Sequence, residues 1–231
     1  MTQKYEITDI QQPNYPYLFR IRALRDIPRF NVKAGDLGGY VENEWNLNQE
    51  GDCWVGEDSC VRQNALVSDH ARIYGGGVVS DNARVSGNAH VGEGAMVYNN
   101  ALVFGEARLY DHAKVCNNAQ IYGNARVSGN AWIHGSAQVY EDAQVYEDAQ
   151  VYGDAQVYGN AQVTGWSRIY YNAVINESMK ISGPCYITTP SRIYYADGVT
   201  IIFHGGDMII NGTSSATDIE HHKTLARLKL A

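Results

Sequence analysis

The sequence is poor in the residues on which helical and membrane proteins depend. Leucine is scarce, there are 4 phenylalanines against 17 tyrosines, and no apolar run approaches the roughly 18 residues that span a membrane. Valine, alanine, glycine, asparagine and tyrosine are abundant instead, which favours β-structure with many turns over a helix bundle. The start, MTQKYEITDI, lacks the basic and then apolar order of a signal peptide. We therefore expect an all-β, cytoplasmic protein without a membrane partner.

Cysteine and positive charge are also in short supply. The four cysteines form no C-x-x-C pair, which favours free thiols in a reducing compartment. They are Cys53, Cys60, Cys116 and Cys185. The net charge of −7 gives no basic footprint, so nucleic acid is an unexpected partner. No glycine-rich phosphate loop opens a helix, and the histidines lack metal-ligand spacing, so we expect neither a metal nor a cofactor.

The prominent feature of the chain is a six-residue repeat, most regular in AQVYEDAQVYEDAQVYGDAQVYGNAQV, residues 137–163. An aliphatic residue recurs at every sixth position from Val55 to Val199, and a small residue, usually alanine, precedes it by two. Residues two apart in a strand face the same side, so each hexapeptide predicts a short strand with both residues inward. The intervening pairs, such as Gly-Asn and Glu-Asp, predict a corner. A short fixed period of this kind predicts a solenoid.

Three hexapeptides are enough to close a triangular coil of 18 residues, and 25 hexapeptides make about eight coils. The phrase V-S-G-N-A-R resembles the hexapeptide repeat of left-handed parallel β-helix proteins. The left-handed sense is what this resemblance implies. We therefore predict an all-β fold, a left-handed parallel β-helix of about eight triangular coils.

The two ends of the chain depart from the repeat. Strand-like segments interrupted by prolines predict an N-terminal β cap over residues 1–40, ahead of the repeat domain at 41–200. Residues 201–231 predict a C-terminal cap of strands followed by a short helix. Leu47 and Val55 are eight residues apart instead of six, which predicts an imperfect first coil with a two-residue bulge.

The entry segment carries a second resemblance. GDLGGYVE…LNQEGDCWV, residues 35–55, followed by N-A-x-V repeats, resembles the YdcK-type hexapeptide-repeat proteins. This resemblance implies the β-helix fold and a kind of protein found in enterobacterial and bacteriophage genomes. Such proteins are commonly labelled as transferases, but their function is largely unassigned. The resemblance therefore implies the fold and adds little about a reaction.

The outward-facing residues sort by a period of 18 into three faces. The arginine face holds the candidate ligand-binding residues, which are Arg72, Tyr74, His90, Arg108, Tyr110 and Arg126. Arginine gives bidentate contacts to phosphate and tyrosine offers a ring for stacking, so this face suits a small anionic, ring-bearing ligand such as a nucleotide or CoA. The alternative is that the arginines only solubilise the face and pair with acids, which occupy the corners throughout the repeat.

The tyrosine face carries glutamines and almost no charge beside its apolar residues, and the mixed face carries Met96, Lys114 and Trp132. The candidate oligomer interface on the tyrosine face is Leu102, Phe104, Tyr122, Tyr140 and Tyr158. Such a stripe would be a large apolar patch on a monomer. Because hexapeptide-repeat relatives are usually trimers, we expect a homotrimer.

These observations favour a non-catalytic, homotrimeric β-helix that binds a small anionic ligand or a protein partner, of a kind found in phages. An alternative is a hexapeptide-repeat acyltransferase, which would use acyl-CoA and a histidine base. Against it, residues 55–199 contain no inserted loop, and His90, His112 and His134 are interpreted as solvated surface residues. A further alternative is a structural or polymerising scaffold.

Overall fold

The computed structural model describes residues 3–176, 179–184 and 186–188, and the strand backbone at 192–196, 199–204 and 207–211. The chain begins with an antiparallel pair, β1 (Tyr5–Gln12) and β2 (Tyr15–Ala23), and β2 pairs with β3 (Leu37–Val41). Two single 3-10 turns lie at Pro28–Phe30 and Glu44–Asn46. The predicted C-terminal helix and Cys185 lie outside the described residues.

The solenoid consists of two-residue strands, one per hexapeptide, arranged on three faces. The mixed face continues from β3 through β5 (Cys60–Val61), β8 (Val78–Val79), β11 (Met96–Val97), β14 (Lys114–Val115), β17 (Trp132–Ile133), β20 (Gln150–Val151), β23 (Arg168–Ile169) and β26 (Tyr186–Ile187). The arginine face holds β4 (Trp54–Val55), β7 (Arg72–Ile73), β10 (His90–Val91), β13 (Arg108–Leu109), β16 (Arg126–Val127), β19 (Gln144–Val145), β22 (Gln162–Val163) and β25 (Lys180–Ile181). The tyrosine face holds β6 (Leu66–Val67), β9 (Arg84–Val85), β12 (Leu102–Val103), β15 (Gln120–Ile121), β18 (Gln138–Val139), β21 (Gln156–Val157) and β24 (Val174–Ile175).

Each of these strands pairs in parallel with the strand one coil further on. His90 is paired with Arg72 on one side and Arg108 on the other, and Gln138 follows Gln120 in the same way. The inward alanines and aliphatics, such as Ala107 and Leu109, are fully buried. The all-β class and the stack of about eight parallel coils are therefore confirmed.

The acidic corners have a structural reason. Corner residues such as Asp69 and Glu141 have a left-handed backbone, with φ of 58° and 57°. The Asp69 carboxylate accepts a hydrogen bond of 2.9 Å from the backbone N–H of Gly87 in the next coil, and Glu141 accepts one of 2.8 Å from Gly159. Each acid thus satisfies an amide that the corner would otherwise leave without a partner.

The predicted bulge in the first coil is confirmed by the strand register. Val41 pairs with Val61 and Leu47 bridges to Val67, both 20 residues on, whereas Val55 pairs with Ile73 at the regular 18. Two additional residues therefore lie between Leu47 and Val55.

The bulged segment ties the first coil to the N-terminal cap. The Gln49 side chain accepts a hydrogen bond of 2.8 Å from the backbone N–H of Lys4 and donates to the carbonyl of Tyr5. Tyr5 is fully buried, and its hydroxyl donates to the carbonyl of Leu47 at 2.7 Å. Gly39 permits the close approach of this cap, because a Cβ there would lie 2.5 Å from the carbonyl oxygen of Ser59.

The solenoid ends earlier than the repeat count predicts. The last strand of a parallel sheet is β26, and the next strand, β27 (Arg192–Ala196), pairs antiparallel with β28 (Val199–His204), which pairs with β29 (Asp207–Asn211). The prediction is therefore wrong at Ile193 and Val199, which belong to this antiparallel sheet.

Candidate functional site

The arginine face brings the predicted ligand-binding residues onto successive strands. His90 lies between Arg72 and Arg108 in register, and Arg126 follows Arg108 one coil further on. Arg108 and Arg126 are exposed, whereas Arg72 and His90 are half-buried. The period of 18 residues is sufficient to predict that these side chains lie together on one face.

The N-terminal cap adds two residues to this face that sequence reasoning missed. Pro28 starts a 3-10 turn that places Phe30 over the face, with its ring 6.3 Å from the ring of His90 at 80°. The guanidinium carbon of Arg72 lies 5.3 Å from the centroid of Phe30 and 5.1 Å from that of Tyr74. Arg72 is therefore held between two aromatic rings, in the geometry of a cation–π contact on each side.

The second added residue is Arg29. Its guanidinium donates a hydrogen bond of 2.8 Å to the side-chain oxygen of Asn88, and the Asn88 amide donates in turn to the carboxylate of Glu106. Arg29 thus reaches the edge of the face beside His90. The only sequence signal for this pair is an arginine and an aromatic residue immediately after a proline in the cap.

Gly92 shapes the surface between the two predicted tyrosines. A Cβ at this position would lie 2.3 Å from the Cζ atom of Tyr74, so the Tyr74 ring lies against the backbone of Gly92. Tyr110 occupies the corresponding position one coil beyond Gly92. The Tyr74 ring therefore covers Gly92, the residue that lies between the two tyrosines in this column.

The cluster formed by Arg29, Arg72, His90, Arg108 and Arg126, called here the arginine cluster, carries positive charge without a counterion. No ion pair joins these residues to a carboxylate among the described residues. Burial, followed by the charges of Arg108, Arg72 and Arg29, lowers the pKa of His90, and only Glu106 acts in the other direction. The Nε atom of Arg72 is buried without a hydrogen-bond partner. A cluster of this kind favours the approach of an anion.

The tyrosine face presents a ladder of rings. Phe104, Tyr122, Tyr140 and Tyr158 stack with centroid distances of 4.9, 4.8 and 4.9 Å, and their ring planes are nearly parallel. The hydroxyl of Tyr122 donates to Gln138 and that of Tyr140 to Gln156, at 3.2 and 3.3 Å. These rings and Leu102 are half-buried, because the stacked rings cover one another's faces and leave mainly their edges to solvent.

Comparison with known proteins identifies the repeat. A family model for the YdcK β-solenoid repeat matches residues 79–93, 119–135 and 149–165, all within the parallel coils. These three segments of the solenoid match the YdcK-type repeat. No curated protein matches the chain. The predicted resemblance to YdcK-type proteins is confirmed.

Within the described part of the chain, the remaining histidines and the cysteines do not assemble into a metal centre. His134 stacks on Tyr152 with a centroid distance of 4.8 Å. Cys53, Cys60 and Cys116 are free thiols. Among the residues that the structure describes, no group of three or more histidine, cysteine or acidic side chains could hold a metal ion. Within the same residues, no helix is long and apolar enough to cross a membrane.

The stability of the solenoid is expected to fall as the pH drops below about 6.5, the pKa of histidine in an unfolded chain. Because the folded pKa of His90 is lowered, the unfolded chain binds the proton first, and the free energy of unfolding decreases with falling pH until the folded pKa is passed. Thermal midpoints at about pH 7.5 and about pH 5.5 test this, with His90→Gln as the comparison. The drop should be smaller in the variant, and an equal drop in both proteins would contradict a role for His90.

Proposed function

We propose that this protein is a non-catalytic binding solenoid and that the arginine cluster is its site for a small anionic, ring-bearing ligand such as a nucleotide. The observation that carries the proposal is a set of cations around His90 that forms no ion pair with a carboxylate among the described residues. Guanidinium groups bind phosphate through paired hydrogen bonds. An anion placed here would supply the missing counterion.

The rings beside the cluster support a ligand with an aromatic part. Phe30 and Tyr74 flank Arg72, and Tyr110 lies one coil beyond Gly92. A base beside these rings would meet the edge or face of a tyrosine while its phosphate contacts Arg108 or Arg126. Stacking on an aromatic side chain contributes about 1–3 kcal/mol per base.

The corners beside the face argue for a small ligand over a long polyanion. Glu93, Glu106 and Asp111 are exposed corner residues next to the strands of the cluster. A nucleic acid strand that crossed the prism would pass these carboxylates, whereas a mononucleotide between the corners would avoid them.

Removal of two exposed arginines is expected to abolish ligand binding without affecting the fold. Calorimetry of the protein with AMP, ADP, cyclic AMP and CoA would identify a ligand. Arg108→Gln combined with Arg126→Gln should then lower the affinity for that ligand by at least tenfold per arginine. Hydrogen bonds to charged groups contribute about 1.5–3 kcal/mol each, which accounts for a factor of this size.

The matched control is Arg84→Gln combined with Arg168→Gln, which removes the same charge from exposed strand positions on the other two faces. This control should bind as the wild type does, and both double variants should retain the wild-type melting temperature. Equal weakening in both would indicate a general charge effect, and no ligand tighter than millimolar would overturn the proposal. Turnover of acyl-CoA would overturn its non-catalytic part.

We also propose that the protein assembles as a homotrimer through the tyrosine face. The N-terminal segment covers parts of the other two faces, because Phe30 lies over Arg72 and Tyr17 contacts Arg62. Its Glu44–Asn46 turn contacts β6, the first strand of the tyrosine face. The ring ladder from Phe104 to Tyr158 lies several coils further along this face, where a second copy of the chain would pack against it.

A further inference from the structure

A separate cleft opens on the mixed face where the β1–β2 hairpin leans over the solenoid. Its volume is about 650 Å³, within the range of small-molecule sites. The residues on which its chemistry depends are Tyr17, Arg62, Ser80, Asp81, Tyr98 and Lys114. It lies on a different sheet from the arginine cluster, so the two sites are independent.

The cleft exists because one outward position on this face is small. Arg62, Ser80 and Tyr98 follow the inward aliphatic of three successive coils, so their side chains occupy the same column. Ser80 is buried at the bottom of this column, between an arginine and a tyrosine. The gap left by the serine is one coil wide, and Tyr17 of the hairpin forms its outer wall.

Two cations line the cleft without forming an ion pair. Arg62 donates a hydrogen bond of 3.1 Å to the hydroxyl of Tyr17, and its Nε atom is buried without a partner. Lys114 is exposed, and among the described residues neither cation is paired with a carboxylate. The Arg62 guanidinium therefore has unused donors in a site partly shielded from water.

Two carboxylates line the same cleft, and each uses one oxygen for the backbone. Glu42 Oε2 accepts a hydrogen bond of 2.7 Å from the N–H of Gln63, and Asp81 Oδ2 accepts one of 2.8 Å from the N–H of Asn99. These bonds hold both side chains in place. Neither carboxylate is engaged in an ion pair within the described part of the chain, so each retains its charge for a ligand.

We propose that this cleft binds a small zwitterion of the α-amino acid type with an aromatic or apolar side chain. Its carboxylate would contact Arg62 or Lys114, and its ammonium group would contact Asp81. Tyr98 and Met96 provide apolar surface for the side chain. A ligand with both charges neutralises unpaired groups of both signs, which an anion or a cation alone cannot do.

Three probes of the same shape test the need for both charges. L-phenylalanine carries both groups, 3-phenylpropanoate lacks the ammonium and 2-phenylethylamine lacks the carboxylate. Calorimetry should show that phenylalanine binds at least about tenfold more tightly than either analogue, because each lost charge removes charge-assisted hydrogen bonds. Equal affinity for all three probes, or no binding of any of them, would overturn the proposal.

Variants then assign each charge to its residue. Arg62→Gln should lower the affinity for phenylalanine and 3-phenylpropanoate about tenfold and leave the affinity for 2-phenylethylamine unchanged. Asp81→Asn should lower the affinity for phenylalanine and 2-phenylethylamine and leave that for 3-phenylpropanoate unchanged. Asparagine suits this exchange, because it keeps an acceptor for the Asn99 amide and tolerates the φ of 59° at this corner. If neither variant binds any of the three probes, the assignment of one charge to each residue is contradicted.

Ser80→Trp should fill the cleft and abolish binding of every probe. The matched control is Ser128→Trp, which places the same ring at the same repeat position on the arginine face. Both variants should melt at similar temperatures, and phenylalanine should bind only to the control. Nucleotide binding at the arginine cluster is measured separately on Ser80→Trp, so that failure of one site does not decide the other.

Discussion

Replacing Ala125 by leucine is expected to destabilise the protein by about 1–3 kcal/mol or more, the cost of overpacking a filled core. Ala125 is fully buried and points into the prism. Its carbonyl accepts a hydrogen bond of 2.9 Å from the N–H of Arg108, and the N–H of Arg126 donates to Ala143 at 2.9 Å. Because the coil is fixed on both sides in this way, it cannot move outward to admit three additional carbon atoms.

The control for this prediction is the adjacent residue. Arg126→Leu introduces the same side chain at an exposed position of the same strand, and its effect should stay within about 0.5 kcal/mol. Midpoints of unfolding in guanidinium chloride compare the two variants directly. A solenoid can unfold in segments, so the shape of the transition is also compared between variants. Equal shifts for the two substitutions would contradict the inward position of Ala125.

The repeat could be predicted from the sequence because each hexapeptide contains both the inward-facing pair that defines its strand and the turn residues that define its corner. Ala95 and Val97 lie two residues apart and both point inward, and the same pair recurs one coil further on as Ala113 and Val115. Since neighbouring coils also require small and aliphatic residues at their inward positions, one hexapeptide that departs from the pattern does not alter the predicted fold. The end of the solenoid was harder to place, because aliphatic residues continue at every sixth position to Val199, past the last parallel strand of the described chain.

The arginine cluster could be predicted only in part. The repeat period alone brings together Arg72, His90 and Arg108, which are spaced by 18 residues. Their spacing in the sequence is therefore enough to predict that they are neighbours. Phe30 belongs to the non-repeating cap, and no period relates it to Arg72. Its place over the face depends on how the loop after β2 packs, which is a tertiary contact that residue spacing does not encode.

The cleft was missed for a different reason. Sorting the mixed face by coils places Ser80 between Arg62 and Tyr98, so the small residue is visible in the sequence. The wall formed by Tyr17 is not visible, because a hairpin can lean over any of the three faces. A small outward residue therefore indicates a cleft only when a second element covers it.

If the proposed homotrimer forms through the tyrosine face, replacing both Tyr122 and Tyr140 by glutamate is expected to convert it to monomers. The two rings are adjacent in the ladder, with centroids 4.8 Å apart, so the substitution places two carboxylates close together on the tyrosine face. Burial of unpaired like charges against a neighbouring subunit costs several kcal/mol, which is comparable with the free energy of a moderate interface. Sedimentation equilibrium of the wild type and the variant measures the change in mass.

The control for this prediction uses the second ring ladder of the molecule. Tyr152 and Tyr170 stack on the mixed face with centroids 5.0 Å apart, and Tyr152→Glu combined with Tyr170→Glu breaks that stack with the same change in charge. If the tyrosine face is the interface, this control remains a trimer and loses only the energy of ring stacking, about 0.5–1.5 kcal/mol. Dissociation of the control alone would place the interface on the mixed face, and a monomeric wild type would exclude both faces. Because the two variants remove equivalent stacks, a difference in mass between them can come only from which face meets the neighbouring subunit.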